Sequence, residues 1–225
     1  MAALLDSTLV ATQANGSGIN DGADGINWQE EVAFKETVPA NFIAAATGKV
    51  HVHRAPHDGL TIVLTGATGF LGRHILSQLV SSSIVKVVHS IAVRDPSKAK
   101  LLVKSPKVVI HYGDLRDSRL GLSDDTARAI FSHVSAIIHN GADVSFLRGY
   151  RTIRAANVLS TRTLVQLVMK YYTSDTPFPH FHFVSTAGVV QLGTKELYEE
   201  PLPVQQPPEA SNGYVASNFF HHHSG

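Results

Sequence analysis

Three glycines, Gly66, Gly69 and Gly72, follow directly on an apolar run at residues 60–65 and lead into an amphipathic stretch. Glycine lets a backbone approach a ligand closely, and a helix that begins at such a turn offers free amide groups to a phosphate. A glycine turn that only shapes a strand–helix corner is the alternative, but strand, turn and helix in this order are typical of dinucleotide binding. The candidate contacts are Thr65, Gly66, Thr68, Gly69, Phe70, Leu71 and Gly72.

The residue at the end of the next apolar run indicates which dinucleotide fits. An acidic side chain there would bind the 2′-hydroxyl of NAD, whereas an arginine accommodates the 2′-phosphate of NADP. The run ends in Arg94, so NADP is the predicted cofactor, with Arg73 as a possible second cation. Asp95 comes one position later and keeps NAD open as the alternative.

Two later loops fit the same pocket. Asp114 and Leu115 follow the third predicted strand, where an aspartate can meet the adenine amino group. Asn140, Gly141 and Ala142 follow the fourth, where a turn of small residues lets the backbone pass close to a cofactor. Either loop alone is compatible with an ordinary turn. Together they occupy the carboxyl ends of strands, where open α/β sheets bind ligands.

The hydrophobic periodicity of the sequence alternates between that of strands and that of helices, and these elements position the loops. The strands are predicted at 60–65, 85–93, 107–112, 136–139 and 181–185, and the helices at 71–82, 97–103, 124–133 and 153–172. This alternation predicts an α/β fold with a doubly wound parallel sheet of the Rossmann type. We expect a flexible linker with a short helical remnant at 1–27, a lead-in segment that packs on the domain at 28–59, and the NADP-binding domain at 60–225.

The composition excludes several classes of function. The 225 residues contain no cysteine, which rules out disulfides, thiolate metal sites and cysteine nucleophiles. A formal net charge of +1 with scattered Lys and Arg gives no nucleic-acid footprint. Apolar runs far shorter than about 20 residues predict no membrane span, and no signal peptide is recognisable at the start. We therefore expect a cytoplasmic protein, with an oligomeric state that the sequence does not specify.

The motifs taken together resemble a known family, the extended short-chain dehydrogenase/reductases, and within it the thioester reductase domains that end many polyketide and nonribosomal peptide synthetases. The resemblance covers residues 60–217. Its motifs are Leu64-Thr-Gly-Ala-Thr-Gly-Phe-Leu-Gly72, Val93-Arg-Asp95, Gly113-Asp-Leu115, His139-Asn-Gly-Ala-Asp-Val144, Ala156-Asn-Val158, Val184-Ser-Thr-Ala-Gly188 and Gly213-Tyr214. It implies hydride transfer from NADPH to a carrier-protein-bound thioester, which gives an aldehyde and sometimes an alcohol.

The resemblance also implies the catalytic residues. Thr186, or Ser185 beside it, would polarise the carbonyl, and Tyr214 would donate a proton to the developing oxyanion. Asn157 would help to position a lysine, often through water. Outside the family context, a strand-end Thr or a helix-turn Asn is as easily explained by local hydrogen bonding.

Position 218 departs from the family pattern. The family places a lysine four residues after the tyrosine, where its charge lowers the tyrosine pKa from about 10, but this chain has Asn218. The chain also ends before a substrate-binding lobe, and the adjacent histidines at 221–223 do not share one helix face, so they predict no metal site. We expect a C-terminally truncated reductase with weak cofactor binding and little turnover. The alternatives are another extended family member, such as an epimerase, a dehydratase or a sugar-nucleotide reductase, and a non-catalytic dinucleotide-binding regulatory module.

Overall fold

The computed structural model describes residues 26–33, 36–47, 59–173, 178–186, 188 and 213–219. The described residues fall into two compact units. The first comprises those within Met1–Thr37, Val144–Arg154 and Ser185–Gly225, and the second those within Val38–Asp143 and Ala155–Val184. Apart from Ile26 and Asn27, the linker predicted at 1–27 lies outside the described residues, and so do the histidines at 221–223.

The second unit is built on a five-stranded parallel sheet. The strands are β1 (Leu60–Thr65), β2 (Val85–Val93), β3 (Val108–Tyr112), β4 (Ala136–His139) and β5 (His180–Phe183). They lie in the order β3-β2-β1-β4-β5, so the chain first moves outward from β1 to one edge and then returns to β1's other side. This is the order of a doubly wound Rossmann-type sheet, and it confirms the predicted fold class.

The central strand explains why the apolar runs of this sequence do not alternate. In β1, the consecutive residues Ile62, Val63 and Leu64 are all buried, although their side chains point to opposite faces of the sheet. Burial on both faces is typical of a parallel strand between parallel neighbours. On one face, Ile62 and Leu64 pack with Leu76 and Val88, which joins the strands to the first helix of the sheet.

Helices and turns of this unit precede the first strand or connect the strands. They are α2 (Ala40–Thr47), α3 (Phe70–Ser81), α4 (Pro96–Ala99), a 3₁₀ turn (Ser118–Gly121), α5 (Asp124–Phe131), a π turn (Ala155–Leu159) and α7 (Ser160–Tyr171). The residues at the helix N-termini explain where several helices begin. Helix α2 begins directly after Pro39. The Asp95 carboxylate caps the start of α4 by accepting from the Ser97 amide at 2.8 Å. Ser123 caps α5 in the same way.

The first unit contains α1 (Trp28–Val32), α6 (Tyr150–Arg154) and α8 (Gly213–Phe219). The Trp28 and Tyr150 rings meet edge to face at 5.0 Å, and Glu31 accepts hydrogen bonds from the Tyr150 hydroxyl at 2.9 Å and Arg154 Nε at 2.7 Å. Burial raises the pKa of Tyr150, and the neighbouring Glu31 charge raises it further. Part of the predicted lead-in segment, α1, is thus fastened to α6.

Several elements differ in extent from the sequence prediction, including the three that follow. Helix α4 ends at Ala99, not at residue 103, because Leu102 enters the apolar core from a loop and only mimics a helical repeat. The long helix predicted from 153 begins at Tyr150 and contains the π turn at Ala155–Leu159. Strand β5 is shorter than predicted, and Ser185 lies beyond its end. Among the described residues, no helix is long and apolar enough to cross a membrane.

Candidate functional site

The turn after β1 depends on the absence of a side chain at Gly66. Its φ of +68° favours glycine, and its carbonyl accepts from the Gly69 amide at 3.0 Å to close a tight turn. A Cβ at Gly66 would lie 2.7 Å from both Cα and N of Gly141. The turns after β1 and β4 are therefore in direct backbone contact.

The other two glycines have different functions. A Cβ at Gly72 would collide with the Gly66 carbonyl, with the carbonyl carbon at 2.8 Å, so the third glycine lets α3 pack on its own turn. Gly69 is the exposed N-cap of α3 and makes no side-chain cap. The first-turn amides of this 12-residue helix are thus left for an anion. These features fit a dinucleotide pyrophosphate, as the sequence predicts.

The start of α3 also presents apolar surface. Phe70 is 79% exposed and Leu71 48% exposed, with the Phe70 ring against His74 at 5.2 Å. Thr68 is partly buried within the turn itself. The turn therefore combines free backbone amides with two apolar side chains, which is the mixed lining typical of cofactor pockets.

The turn after β4 is fastened at several of its residues. Asn140 Nδ2 donates to the Gly66 carbonyl at 3.3 Å, and the Gly141 amide donates to Thr65 Oγ1 at 2.9 Å. Asn157 holds Asp143 from both sides: its Oδ1 accepts from the Asp143 amide at 2.7 Å, and its Nδ2 donates to the Asp143 carbonyl at 3.0 Å. Thr65 is fully buried and supports the turn from beneath.

Asn157 lies in the π turn, a helical irregularity that is frequent at functional sites. From the family resemblance, we expect Asn157 to help position a lysine. In the structure its side-chain amide clamps the loop that carries Ala142 and Asp143. Ala142 itself is exposed.

The end of β3 carries a charged cluster. Asp114 Oδ1 accepts from the Arg116 amide and from Arg116 Nε, both at 2.9 Å, and Oδ2 accepts from Arg116 Nη2 at 2.8 Å. Arg94 Nη1 lies 3.8 Å from the same carboxylate. The hydrogen bonds from Arg116 lower the pKa of Asp114 to about 2, against a smaller opposing effect of burial. Asp114 is therefore ionised and already engaged by Arg116.

A bulge in β2 shapes the approach to this cluster. The β2–β3 register shifts between Ser90 and Val93, and Ala92 has a φ of +55°. A left-handed alanine is strained, and bulges next to functional sites re-aim the side chains that follow. Here the residue that follows the bulged strand is Arg94, which is 74% exposed. Leu115, on the neighbouring loop, lies against Gly141, with its Cδ1 3.1 Å from where a Cβ of Gly141 would stand.

The predicted hydroxyl and phenol groups belong to the first unit. Ser185 and Thr186 follow β5 and are partly buried, and Thr186 Oγ1 accepts from the Gly188 amide at 3.3 Å. A Cβ at Gly188 would lie 3.5 Å from Thr186 Oγ1 and 3.3 Å from Val215 Cγ2. Gly188 thus joins the Thr186 segment to the helix that carries Tyr214.

Helix α8 places Asn218 directly on Tyr214. The Tyr214 carbonyl accepts from Ser217 Oγ at 2.8 Å and from Asn218 Nδ2 at 3.0 Å, and the Tyr214 ring meets Phe146 at 5.3 Å. Asn218 is only 2% exposed, so its amide is a buried, neutral group within the helix. In the part of α8 that the structure describes, this position supplies a hydrogen bond and no charge.

Two residues, Arg116 and His139, make contacts in the site that the sequence motifs do not predict. Arg116 was recognisable in principle, because an aspartate commonly accepts from the backbone amide two residues on, and an arginine there folds back on it. In the sequence, His139 is recognisable only as the first residue of a motif. In the structure it is buried beneath the two turns and hydrogen-bonded to Thr65 at 2.7 Å.

Comparison with known proteins identifies the family. Residues 64–220 match the NAD-binding family described as "Male sterility protein". The chain is 40% identical over 195 residues to a polyketide synthase-nonribosomal peptide synthetase of Aspergillus clavatus, which covers 86% of this chain. It is 36% identical over 221 residues to the hybrid PKS-NRPS synthetase ucsA of Acremonium sp, which covers 97% of it. The chain spans only 4% and 5% of the length of these two proteins.

Solved structures agree with this family. The terminal R domain from the myxalamid PKS-NRPS biosynthetic pathway superposes with a TM-score of 0.67 at 28% identity, covering 88% of this chain and 50% of that one. The PhqB reductase domain from Penicillium fellutanum gives a TM-score of 0.53 at 29% identity, covering 77% of this chain and 45% of that one. The family's cofactor is a nicotinamide dinucleotide. The chain belongs to the "Male sterility protein" family of NAD-binding domains and is homologous to the terminal reductase domains of PKS-NRPS hybrids.

Proposed function

We propose that this chain is the NADP(H)-binding part of a reductase for carrier-bound thioesters in secondary metabolism, with impaired proton transfer. The observation that carries the proposal is the pair of interlocked turns after β1 and β4. Gly66 and Gly141 meet there at a distance that excludes any side chain, beside the uncapped start of α3. This backbone arrangement suits a pyrophosphate, and the chain's relatives are terminal reductase domains.

The preference for NADP over NAD follows from charge at the end of β2. Arg94 and Arg116 both lie beside the Asp114 carboxylate. Asp117 and Asp143 also interact with Arg116, so the exposed Arg94 is the cation less engaged by carboxylates. Both guanidinium groups are largely exposed and can turn towards a 2′-phosphate, which arginine binds with paired hydrogen bonds. A 2′-hydroxyl offers no charge to match. We therefore expect NADPH to bind more tightly than NADH.

The proposed chemistry uses Thr186, with Ser185 as the alternative, to polarise the substrate carbonyl and Tyr214 to donate the proton. When bound, NADPH supplies the hydride. Tyrosine serves as a general acid near neutral pH only when a nearby positive charge lowers its pKa. Asn218 donates a hydrogen bond to the Tyr214 carbonyl and brings no charge. We propose that binding is retained in this chain and that turnover is lost or slow for this reason.

The test compares the wild-type chain with Asn218→Lys in an NADPH-oxidation assay on a pantetheine thioester. Both are also assayed as fusions to the segment that follows the matched region in the Aspergillus clavatus relative. We expect the wild-type fusion to be nearly inactive and the lysine variant to be faster by at least about 10²-fold, the lower end of the usual contribution of one acid–base group. A wild-type fusion with ordinary reductase turnover would refute the impairment.

The same assay addresses the second candidate, a non-catalytic dinucleotide-binding module, which the buried neutral Asn218 favours. If NADPH binds and neither fusion turns over, the module is the better account. Tighter binding of NADH than of NADPH would instead favour another extended dehydrogenase/reductase, such as an epimerase or a dehydratase.

A further inference from the structure

A buried polar chain runs beneath the two interlocked turns. His139, at the end of β4, is 1% exposed, and its Nδ1 lies 2.7 Å from Thr65 Oγ1 and its Nε2 3.1 Å from Ser160 Oγ. Thr65 and Ser160 are equally buried. The rings of Phe181 and Phe183 lie against the imidazole at 6.5 Å and 5.7 Å between centroids.

The donors and acceptors of these buried side chains allow only one direction of hydrogen bonding. The Ala156 carbonyl can only accept, so the Ser160 hydroxyl donates to it at 2.6 Å. Ser160 Oγ must then accept from His139, which places the imidazole proton on Nε2. A neutral imidazole leaves Nδ1 as an acceptor for the Thr65 hydroxyl, and Thr65 Oγ1 accepts from the Gly141 amide at 2.9 Å. Each hydroxyl proton then has an acceptor.

The reverse direction leaves a buried donor unpaired. If His139 carried its proton on Nδ1, Thr65 Oγ1 would accept from both the imidazole ring and the Gly141 amide. The Thr65 hydroxyl would then lose its acceptor in a fully buried position. An unpaired buried hydroxyl is unfavourable by about 1–3 kcal/mol. A doubly protonated ring would meet the same conflict, because its Nδ1–H would also donate to Thr65 Oγ1.

We infer that His139 is a positioning residue: as the neutral Nε2–H tautomer it fixes the Gly141 turn, and through it the cofactor site. The hydrogen-bond chain runs from the Gly141 amide through Thr65, His139 and Ser160 to the Ala156 carbonyl. It ends next to Asn157, which clamps Asp143 on the far side of the same turn. The effect on cofactor affinity rests on the proposed function, whereas the tautomer and the fixed turn do not.

Two neighbouring hydroxyls provide a matched pair of variants. Ser160 Oγ and Thr161 Oγ1 both donate to π-turn carbonyls four residues back, those of Ala156 at 2.6 Å and Asn157 at 3.0 Å. Of the two, Ser160 is the one hydrogen-bonded to His139. Ser160→Ala therefore removes a back-bond and the Nε2–H acceptor, while Thr161→Ala removes a back-bond alone. His139→Phe, of similar volume, removes both imidazole hydrogen bonds.

The first readout is nitrogen NMR of isotope-labelled histidine together with amide exchange of Gly141, both in nucleotide-free protein. We expect the Nε2–H tautomer in the wild type. We also expect Gly141 exchange about tenfold faster in Ser160→Ala, against no more than about twofold in Thr161→Ala. A proton on Nδ1, or equal exchange in the two variants, would overturn the inference. These measurements remain decisive if His139→Phe does not fold.

The second readout is the Kd for NADPH by titration calorimetry. His139→Phe should weaken binding about tenfold and Ser160→Ala several-fold, with Thr161→Ala unchanged. Unchanged affinity in a folded His139→Phe protein would overturn the link to the cofactor site. Absence of NADPH binding in the wild type would instead refute the proposed function and leave the tautomer and exchange results to decide the inference.

Discussion

The candidate cofactor-binding residues and the candidate catalytic residues of this chain are held by different kinds of contact. The turns after β1 and β4 in the second unit are fixed by backbone geometry and buried hydrogen bonds, from Gly66 and Thr65 to Asn140 and Asn157. In the first unit, helix α8 carries the phenol of Tyr214, but the neutral amide of Asn218 stands where the family pattern has a lysine. We therefore propose that the backbone of the dinucleotide site is retained, whereas the proposed proton donor lacks a neighbouring positive charge.

This difference reflects what each function requires. Binding a pyrophosphate depends on the path of the backbone, which several glycines and buried hydroxyls determine together. Losing one of these residues therefore weakens pyrophosphate binding without removing every contact that shapes the site. Lowering the pKa of a tyrosine depends on one charge at one position, and a single substitution removes it. A fold can therefore keep its cofactor site while its chemistry fails.

The largest effect should come from breaking the glycine turn. Gly72→Ala places a methyl group on the Gly66 carbonyl, and we expect unfolding to become easier by roughly 3 kcal/mol, with NADPH binding abolished. The control is Gly69→Ala, whose methyl group would meet its nearest neighbour, the Gly66 carbonyl oxygen, at 3.3 Å. Denaturant unfolding and calorimetry measure both effects. Equal stability of the two variants would contradict the packing argument.

A smaller effect is expected at the helix of Tyr214. A Cβ at Gly213 would collide with the Arg148 carbonyl and lie 2.6 Å from the carbonyl carbon of Gly149. Gly213→Ala should therefore reduce the free energy of unfolding by about 2 kcal/mol, since α8 must move away from this loop. Gly149→Ala is the matched control, because a Cβ there meets nothing within 4 Å. Thermal unfolding distinguishes the two variants. An unchanged Tm in Gly213→Ala would show that α8 does not pack against the loop of Arg148 and Gly149.

Cofactor preference should respond to Arg94. Arg94→Gln removes a charge beside Asp114, and we expect it to weaken NADPH binding about tenfold with little effect on NADH, since 2′-phosphate is the group it would bind. Arg128→Gln, which alters an exposed ion pair with Asp124 on α5, serves as the control. Competitive titration with the two nucleotides gives the ratio. An unchanged ratio in Arg94→Gln would remove Arg94 from the site.

The smallest effect is a pH dependence at Asp114. Its pKa of about 2 in the folded protein lies below its ordinary value near 3.8, mainly because Arg116 donates hydrogen bonds to it. A lowered pKa contributes stability that is present above about pH 4 and is lost as the pH falls through about 2. Asp114→Asn should thus be less stable than the wild type at neutral pH and converge with it towards pH 2. The measurement is the free energy of unfolding of both proteins as a function of pH. A difference between them that does not change with pH would contradict the hydrogen bonding of Asp114 by Arg116.

The fold and the positions of the binding loops were predictable because they depend on local patterns. Apolar runs at Leu60–Thr65 and Ala136–His139 appear as strands with the bounds that the sequence predicts. The extent of α4 was not predictable, because Leu102 is held by core packing and not by helical periodicity.

The finer features of the site depend on contacts between distant residues. The π turn places Asn157 against Asp143, 14 residues away in sequence, and the His139 chain joins Thr65 to Ser160. Sequence shows that these residues can hydrogen-bond, but not in which direction or with which partner. Thr186 and Tyr214 could be assigned only through family resemblance, because their spacing in the chain determines no geometry.

The most direct test of a retained cofactor site is a parallel titration of the wild-type chain with NADPH and NADH, followed by calorimetry and by the shift in thermal unfolding. A ligand that binds only the folded protein must raise its Tm. The account predicts a cooperative transition, raised by NADPH, and an affinity for NADPH about tenfold above that for NADH. Absence of binding by either nucleotide, in a protein that unfolds cooperatively, would contradict it.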